Sequence, residues 1–378
     1  MTIQSYTATT LAGLEEVLAR ELIEMGADEV QIARRSVYFR GDLKLLYKAN
    51  YCLRTALRVL IPIDSYKIHS ANDLYQRGCN FKWEELFDVK QTFAIQSTVF
   101  SDLFNNSMFA SLKLKDAIAD RFRYKFGERP NVDADDPDVL INLHIGNGVC
   151  TISLDSSGES LHKRGYRVGR NEAPMNEVLA AGLLRLSEWD RKSELIDPMC
   201  GSGTIAIEAA MLANGVFPGE IRRSFGFMNW KNFNADLFKQ VEFEAKEDVA
   251  PVKIMASDIS RRNIEMAVSN ADAAGVSQFI DFKVADFKLL EPASEKPFLL
   301  FNPPYGERIA GNDTDFYKMI GDRLKQHYSD ATVWIISTPE CLKSIGLRPS
   351  RKIPMLNGSL ECSFRKYDLY SGSKKESR

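Results

Sequence analysis

The chain reads as an α/β protein whose C-terminal half is a doubly wound parallel sheet, preceded by a smaller α+β region. Three observations predict this. From about residue 175 strand and helix patterns alternate, which is the grammar of parallel βαβ units. A strand ending in Leu195-Ile196-Asp197 runs into a tight glycine turn and then the apolar helix Ile205–Ala213. Before residue 160 the runs are shorter, and the hairpin signal Asn147-Gly148 joins two alternating segments.

In chain order, Ile3–Thr9 reads as a strand. Leu14, Val17, Leu18, Leu22 and Met25 recur at helical spacing, and Gly26 closes that helix. Glu29–Ala33 and Ser36–Phe39 are short strands, and Asp42 caps a helix running to Leu53. A strand near Leu57–Ile63, a helix near Asn72–Gly78 and a strand at Thr92–Phe100 follow. A long helix spans Ser107–Phe126, and Val139–Ile145 and Val149–Leu154 form the hairpin, preceded by the acidic loop Asn131–Asp138. The parallel strands are expected at Glu194–Ile196, Lys253–Ala256, Phe279–Val284, Phe298–Phe301 and Thr332–Ser337. Leu360–Leu369 reads as a last, antiparallel strand at the edge, and the polar tail from Ser371 as frayed.

Composition narrows the function. Among 378 residues, 49 Lys+Arg balance 51 Asp+Glu, so the formal charge is −2. A uniformly basic nucleic-acid binder is excluded, but a local basic stripe is not. Six cysteines lie no closer than 21 residues apart and the four histidines form no HxxxH pair, so no metal site is expected. No apolar stretch approaches the ~20 residues that span a bilayer, and the N-terminus lacks the apolar core of a signal peptide. A reduced, soluble, cytoplasmic protein with no membrane partner is expected.

The glycine turn Asp197-Pro198-Met199-Cys200-Gly201-Ser202-Gly203-Thr204 lacks the GK[ST] ending of a Walker A loop and is not GxGxxG. A carboxylate at the strand end, Asp197, repels a pyrophosphate and suits a cationic group such as the amino group of a methionine moiety. Asp258 ends the next strand, 61 residues further on, and Asp286 the one after. Three acids at successive strand ends fit a nucleoside cofactor lying across the sheet's carboxyl edge. In that reading Asp258 takes the ribose hydroxyls and Asp286 the adenine amino group, with Ile259 and Phe287 beside them. The plainer alternative is that each acid caps a helix. Cys200 has no histidine placed to activate it and reads as a packing residue.

The fourth strand ends in Asn302-Pro303-Pro304-Tyr305. An exocyclic amine on a base is a poor nucleophile, because its lone pair is delocalised into the ring. The Asn302 side-chain oxygen and the Pro303 carbonyl can hold both amine hydrogens and aim the lone pair at a methyl carbon. Two prolines stiffen the loop, and Tyr305 is expected to stack on an extruded base, worth ~1–3 kcal/mol. The alternative is a rigid strand-to-loop turn without chemistry.

Asp197–Thr204 with Asn302–Tyr305 resembles the Rossmann-like S-adenosylmethionine-dependent methyltransferases that act on amino groups. The stretch Leu161–Arg167, the segment Ala173–Ala181 and the longer form Asn302–Arg308 are similar to the entry and active site of THUMP-containing RNA methylases. Gly13-Leu14-Glu15, Phe109–Ile118 and Arg129–Asp133 extend the resemblance to the bacterial 23S rRNA guanine-N2 methyltransferases, over nearly the whole chain. The resemblance implies a ferredoxin-like unit at 1–60, a THUMP RNA-binding domain at 61–156, a Rossmann-like methyltransferase domain at 157–371 and a tail at 372–378. It implies S-adenosyl-L-methionine as cofactor, no metal, and structured RNA as partner, either 23S rRNA or a large-subunit precursor. Some members carry a second, C-terminal methyltransferase domain. This chain has no room for one by residue 378, so only the N2 activity is carried over.

Lys163, Arg164, Arg167 and Arg170 fall within eleven residues free of acid, and are expected to track RNA phosphates. A solvated linker is the alternative. Arg34-Arg35 and Arg222-Arg223 are weaker candidates. The insertion at 214–251 carries seven aromatics, Phe217, Phe225, Phe227, Trp230, Phe233, Phe238 and Phe243. They either cap the active site over a flipped base or, more simply, pack among themselves. Rival activities are a tRNA guanine-N2 methyltransferase, an adenine-N6 nucleic-acid methyltransferase and a glutamine methylase acting on release factors. A non-catalytic ribosome-assembly factor is the rival of another class.

Overall fold

The structure is a computed structural model that describes residues 3–104, 106–168, 174–246, 249, 251–292, 294–305 and 313–370. The chain divides into two compact units. The first contains residues 1–10, 19–161 and 223–244; the second contains 11–18, 162–222 and 245–378.

In the first unit, β1 (Gln4–Thr9), α1 (Glu15–Glu24), β2 (Asp28–Ala33), β3 (Ser36–Gly41) and α2 (Leu43–Cys52) come first. Asp42 caps α2 by accepting from the Leu45 amide at 2.9 Å, as its position predicts. β4 (Arg58–Lys67), α3 (Ala71–Asn80), β5 (Phe93–Phe100), α4 (Ser107–Phe126), β6 (Val139–Gly146) and β7 (Val149–Asp155) complete the run. The seven strands form one sheet in the order β2-β3-β1-β4-β7-β6-β5. The turn at Asn147-Gly148 has φ of 52° and 72°, the left-handed pair that a two-residue hairpin demands.

β4 is the strand both halves share. Arg58–Leu60 pair with β1, while Leu60–Lys67 pair with β7. The boundary expected at residue 60 therefore falls inside a strand, where the β1 and β7 pairings meet at Leu60.

The second unit holds α5 (Glu177–Leu186), β8 (Leu195–Asp197), α6 (Thr204–Ala213), α7 (Pro218–Ile221), β9 (Ile254–Asp258), α9 (Arg261–Ala273), β10 (Ile280–Val284) and β11 (Phe298–Phe301). Between α7 and β9 the chain contributes α8 (Ala235–Glu244) to the first unit. α10 (Asp313–His327), β12 (Thr332–Ser337), α11 (Pro339–Lys343), β13 (Arg351–Asn357) and β14 (Leu360–Asp368) follow. The sheet order is β10-β9-β8-β11-β12-β14-β13. β8 to β12 are parallel, and β14 is antiparallel to β12 as expected. β14 is not the edge, however: β13 lies outside it, paired over its full length. β13 escapes sequence reading because Arg351, Lys352 and Pro354 look unlike a strand. An edge strand tolerates charge and proline, since one side of it has no ladder to satisfy.

The aromatic insertion splits between the units. Phe225, Phe227, Phe233 and Phe238 pack with Tyr47 and Tyr51 of α2, with Phe227 stacked on Tyr47 at 4.5 Å and on Phe225 at 5.2 Å. The Phe227 amide donates to the Ser156 carbonyl at 3.0 Å. These rings are core of the first unit, buried and unavailable to a base, so the packing alternative holds for them and the cap does not.

Candidate active site

The second unit carries a cavity of about 550 Å³ at the carboxyl ends of β8, β9, β10 and β11. The strand order reverses between β8 and β11, and such a switch point opens a crevice above the sheet. Asp197, Pro198, Cys200, Gly201, Thr204, Asp258, Ile259, Asp286, Phe287, Asn302, Pro303 and Pro304 all line it.

Asp197 sits at the floor, 1% exposed, and neither of its carboxylate oxygens has a hydrogen-bond partner of full geometry. Burial pushes its carboxyl well above the usual range, and Asp258 adds to the shift; the Met199 amide offsets part of it. An orphaned buried carboxylate costs the free protein stability and awaits a cation. That fits the ammonium of a methionine moiety. Burial, then Asp197 and Asp258, also pushes the Cys200 thiol up, so it stays protonated and is no nucleophile, as its surroundings predicted.

Asp258 is more occupied than its sequence position implies. One oxygen accepts from the Gly201 amide at 3.0 Å; the other accepts from the Ser260 amide at 2.8 Å and from Asn263 Nδ2 at 3.1 Å. It ties the glycine turn to β9 and lines the cavity. Asp286 accepts from the Lys288 amide at 2.9 Å, a local cap, and lines the same wall. Ile259, 71% exposed, gives that wall an apolar face. Phe287 is buried and stacks on Tyr328 at 5.7 Å, so it supports the wall from behind.

The two glycines of the turn differ. Gly201, at φ 55°, faces open space and lines the cavity. Gly203, at φ 82°, does not line it. A Cβ there would meet Ala267 Cβ of α9 at 2.9 Å, so this glycine serves helix packing rather than ligand approach.

On the acceptor side, Asn302 Oδ1 is buried without a partner, while its residue lines the cavity. The Pro304 carbonyl accepts from Tyr317 at 3.1 Å, and Tyr317 shares a second bond of 2.6 Å with Ser337. Among the described residues no donor takes the Pro303 carbonyl. Asn302 Oδ1 and Pro303 O are therefore two acceptors on one stiff loop. Tyr305 departs from expectation: it is only 9% exposed, packed in the core with Tyr317, and its hydroxyl accepts from Asn357 Nδ2 at 2.8 Å. It offers no open face for stacking. The rest of the longer motif, Gly306 to Arg308, lies outside the described residues.

The basic run needs a correction as well. Arg164 is 1% exposed; its Nε and Nη2 donate to Glu208 at 3.3 and 3.5 Å, and the Tyr166 hydroxyl donates to Glu208 at 3.3 Å. It is a buried ion pair on α6, not a phosphate contact. Arg167 donates to Glu177 and to the Met175 carbonyl, both at 2.6 Å, and to Thr204 Oγ1 at 3.4 Å. It braces the cavity wall at Met175. Lys163 is exposed and compatible with a phosphate role, whereas Arg170 lies outside the described residues. Sequence reasoning missed Met175, Asn263, Phe316, Met319 and Asn357, all of which line the cavity. The two-residue turn Gly358-Ser359 that follows Asn357 is a hairpin signal and marked one of them.

No group of residues suited to hold a metal occurs among the described residues, and no helix among them is long and apolar enough to cross a membrane. A parallel sheet with an orphaned acid at the glycine turn and an Asn-Pro-Pro-Tyr loop at the switch point defines a Rossmann-like methyltransferase. Comparison with known proteins agrees: residues 164–366 match the RMKL-like methyltransferase domain, and the chain belongs to that family. Residues 5–60 match the RlmL ferredoxin-like domain and 69–155 the THUMP domain. The chain is 39% identical to slr0064 of Synechocystis, provisionally named an RNA methyltransferase, over 98% of both chains. It is also 39% identical to the ribosomal RNA large subunit methyltransferase K/L of Shewanella baltica, covering 98% of this chain and 54% of that one. The chain thus spans about half the length of the Shewanella relative. Among solved structures, SMU.472, a methyltransferase-class protein complexed with SAH, superposes with TM-score 0.87 at 26% identity, over 99% of this chain and 100% of that one.

Proposed function

We propose that the protein is an S-adenosylmethionine-dependent methyltransferase acting on the exocyclic N2 amine of a guanosine in 23S rRNA, in the cytoplasm. The observation that carries this is the pairing of two unsatisfied buried groups in one cavity: Asp197, which calls for a cation, and Asn302 Oδ1, which calls for a donor. The SAH held by the structural relative and the ribosomal RNA methyltransferase relatives support the same reading.

When bound, the cofactor supplies an electrophilic methyl on a sulfonium. Asp197 would hold its ammonium, Asp258 its ribose hydroxyls, and Asp286 with Ile259 its adenine. Asn302 Oδ1 and the Pro303 carbonyl would each accept one N2 hydrogen, which would orient the nitrogen lone pair for methyl transfer. Asn302 is neutral, so it steadies the positive charge that develops on nitrogen without acting as a base. The proton leaves to solvent after transfer. The THUMP segment and Lys163 are assigned to RNA contact.

Asn302→Ala should abolish methylation, at least 10²-fold in kcat, with cofactor affinity nearly unchanged by calorimetry. Equal loss of both would make Asn302 a structural residue. Nucleoside mapping of rRNA from a deletion strain should show loss of one 2-methylguanosine. Loss of 6-methyladenosine instead would overturn the base assignment, and loss of a tRNA nucleoside would move the substrate.

A further inference from the structure

The acceptor side of the cavity contains a polar side chain that orienting the amine does not use. Asn357, the last residue of β13, lines the cavity with Asn302, Pro303, Pro304, Phe316 and Met319. It pairs directly with Leu360 across a two-residue turn whose Gly358 has φ of 65°. The sheet, not a long loop, therefore sets its position. Its Nδ2 donates to the Tyr305 hydroxyl at 2.8 Å. In that arrangement the amide nitrogen is the end engaged. Oδ1 is the acceptor left over, and no donor among the described residues takes it.

We propose that Asn357 selects guanine over adenine by accepting the ring N1–H of the flipped base at its Oδ1. The inference rests on the guanine-N2 reading and deepens it. With the two N2 hydrogens on Asn302 Oδ1 and the Pro303 carbonyl, one of the two ring positions flanking the amine, N1 or N3, meets the wall that Asn357 lines, and an acceptor there selects N1–H over the N3 lone pair. In guanine that position is N1–H, a donor. In adenine the position beside the N6 amine is N1 with a lone pair, which a facing carbonyl repels and leaves unsatisfied. A flipped base is read along this edge. The role also accounts for a tyrosine in the catalytic loop that offers no stacking face: Tyr305 holds the reader.

The test uses the full chain and a 23S rRNA fragment carrying guanosine or 2-aminopurine riboside at the mapped position. 2-Aminopurine keeps the N2 amine but has a lone pair at N1. The wild-type protein should prefer guanosine by about tenfold or more in kcat/KM, a hydrogen-bond-sized effect. Asn357→Ala should bring that ratio close to one by losing guanosine turnover, with cofactor affinity and melting temperature unchanged. Asn357→Asp, which keeps an acceptor, should hold the preference, and serves as well if the alanine variant melts early. Tyr305→Phe, which lets the amide turn, should narrow the ratio by a smaller factor. An unchanged ratio in Asn357→Ala, or equal loss on both substrates, overturns the proposal while the N2 reading stands. A wild-type protein that methylates neither substrate overturns the N2 reading and this proposal with it.

Discussion

Asp197 shows a functional group held at a cost. Its carboxyl is raised in the folded state, so ionisation opposes folding. The free protein is therefore most favoured, with respect to this residue, below the unfolded carboxylate pKa, and loses that contribution as pH rises through the folded pKa. Asp197→Asn should stabilise the free protein by about 1 kcal/mol at pH 8 and flatten this pH dependence, read by denaturant melts. The same change should weaken cofactor binding. Wild-type binding should release a proton, detected as a dependence of calorimetric heat on buffer ionisation enthalpy. A variant that binds more tightly would sink the ammonium assignment. The three acids were legible in the sequence because strand ends are, and each lines the cavity. The three donors bound by Asp258 were not legible, since they depend on how the turn folds back. Arg164 was misjudged for a related reason: a basic run shows charge but not which guanidinium turns inward toward Glu208.

Among the elements, α6 gathers the most constraints. All ten of its residues are buried, including Glu208. Gly203 at its start lets α9 approach closely. Gly203→Ala should cost about 1–3 kcal/mol, from the left-handed φ and the overpacked Ala267 together. Adding Ala267→Gly should return the packing part only, which a double-mutant cycle of unfolding free energies resolves. Full additivity would mean that the contact carries no energy. Strand and helix order was legible here because period and length distinguish them. The hairpin of β13 and β14 was half legible: β14 shows a strand's pattern, whereas β13 is disguised by the proline that edge position permits.

On the scale of the whole molecule, the first unit is closed by a segment drawn from the middle of the methyltransferase region, 223–244. Aromatic spacing reveals that such rings are buried but not against what, so this was not legible. Phe227→Ala should cost about 3–5 kcal/mol, with the loss assigned by hydrogen exchange to the first unit's amides near Tyr47 and Ser156. Loss of turnover at unchanged stability would restore the cap idea.

That borrowed segment also sets an order of events during synthesis. Tyr47 and Tyr51 leave the ribosome about 180 residues before Phe227 and Phe238, about 9 to 36 seconds at ~5–20 residues per second. The N-terminal sheet can form early, but the tyrosines of α2 stay uncovered until Phe227 and Phe238 are made. A nascent chain arrested before residue 223 should therefore be more protease-sensitive in its first 160 residues than one arrested after 244.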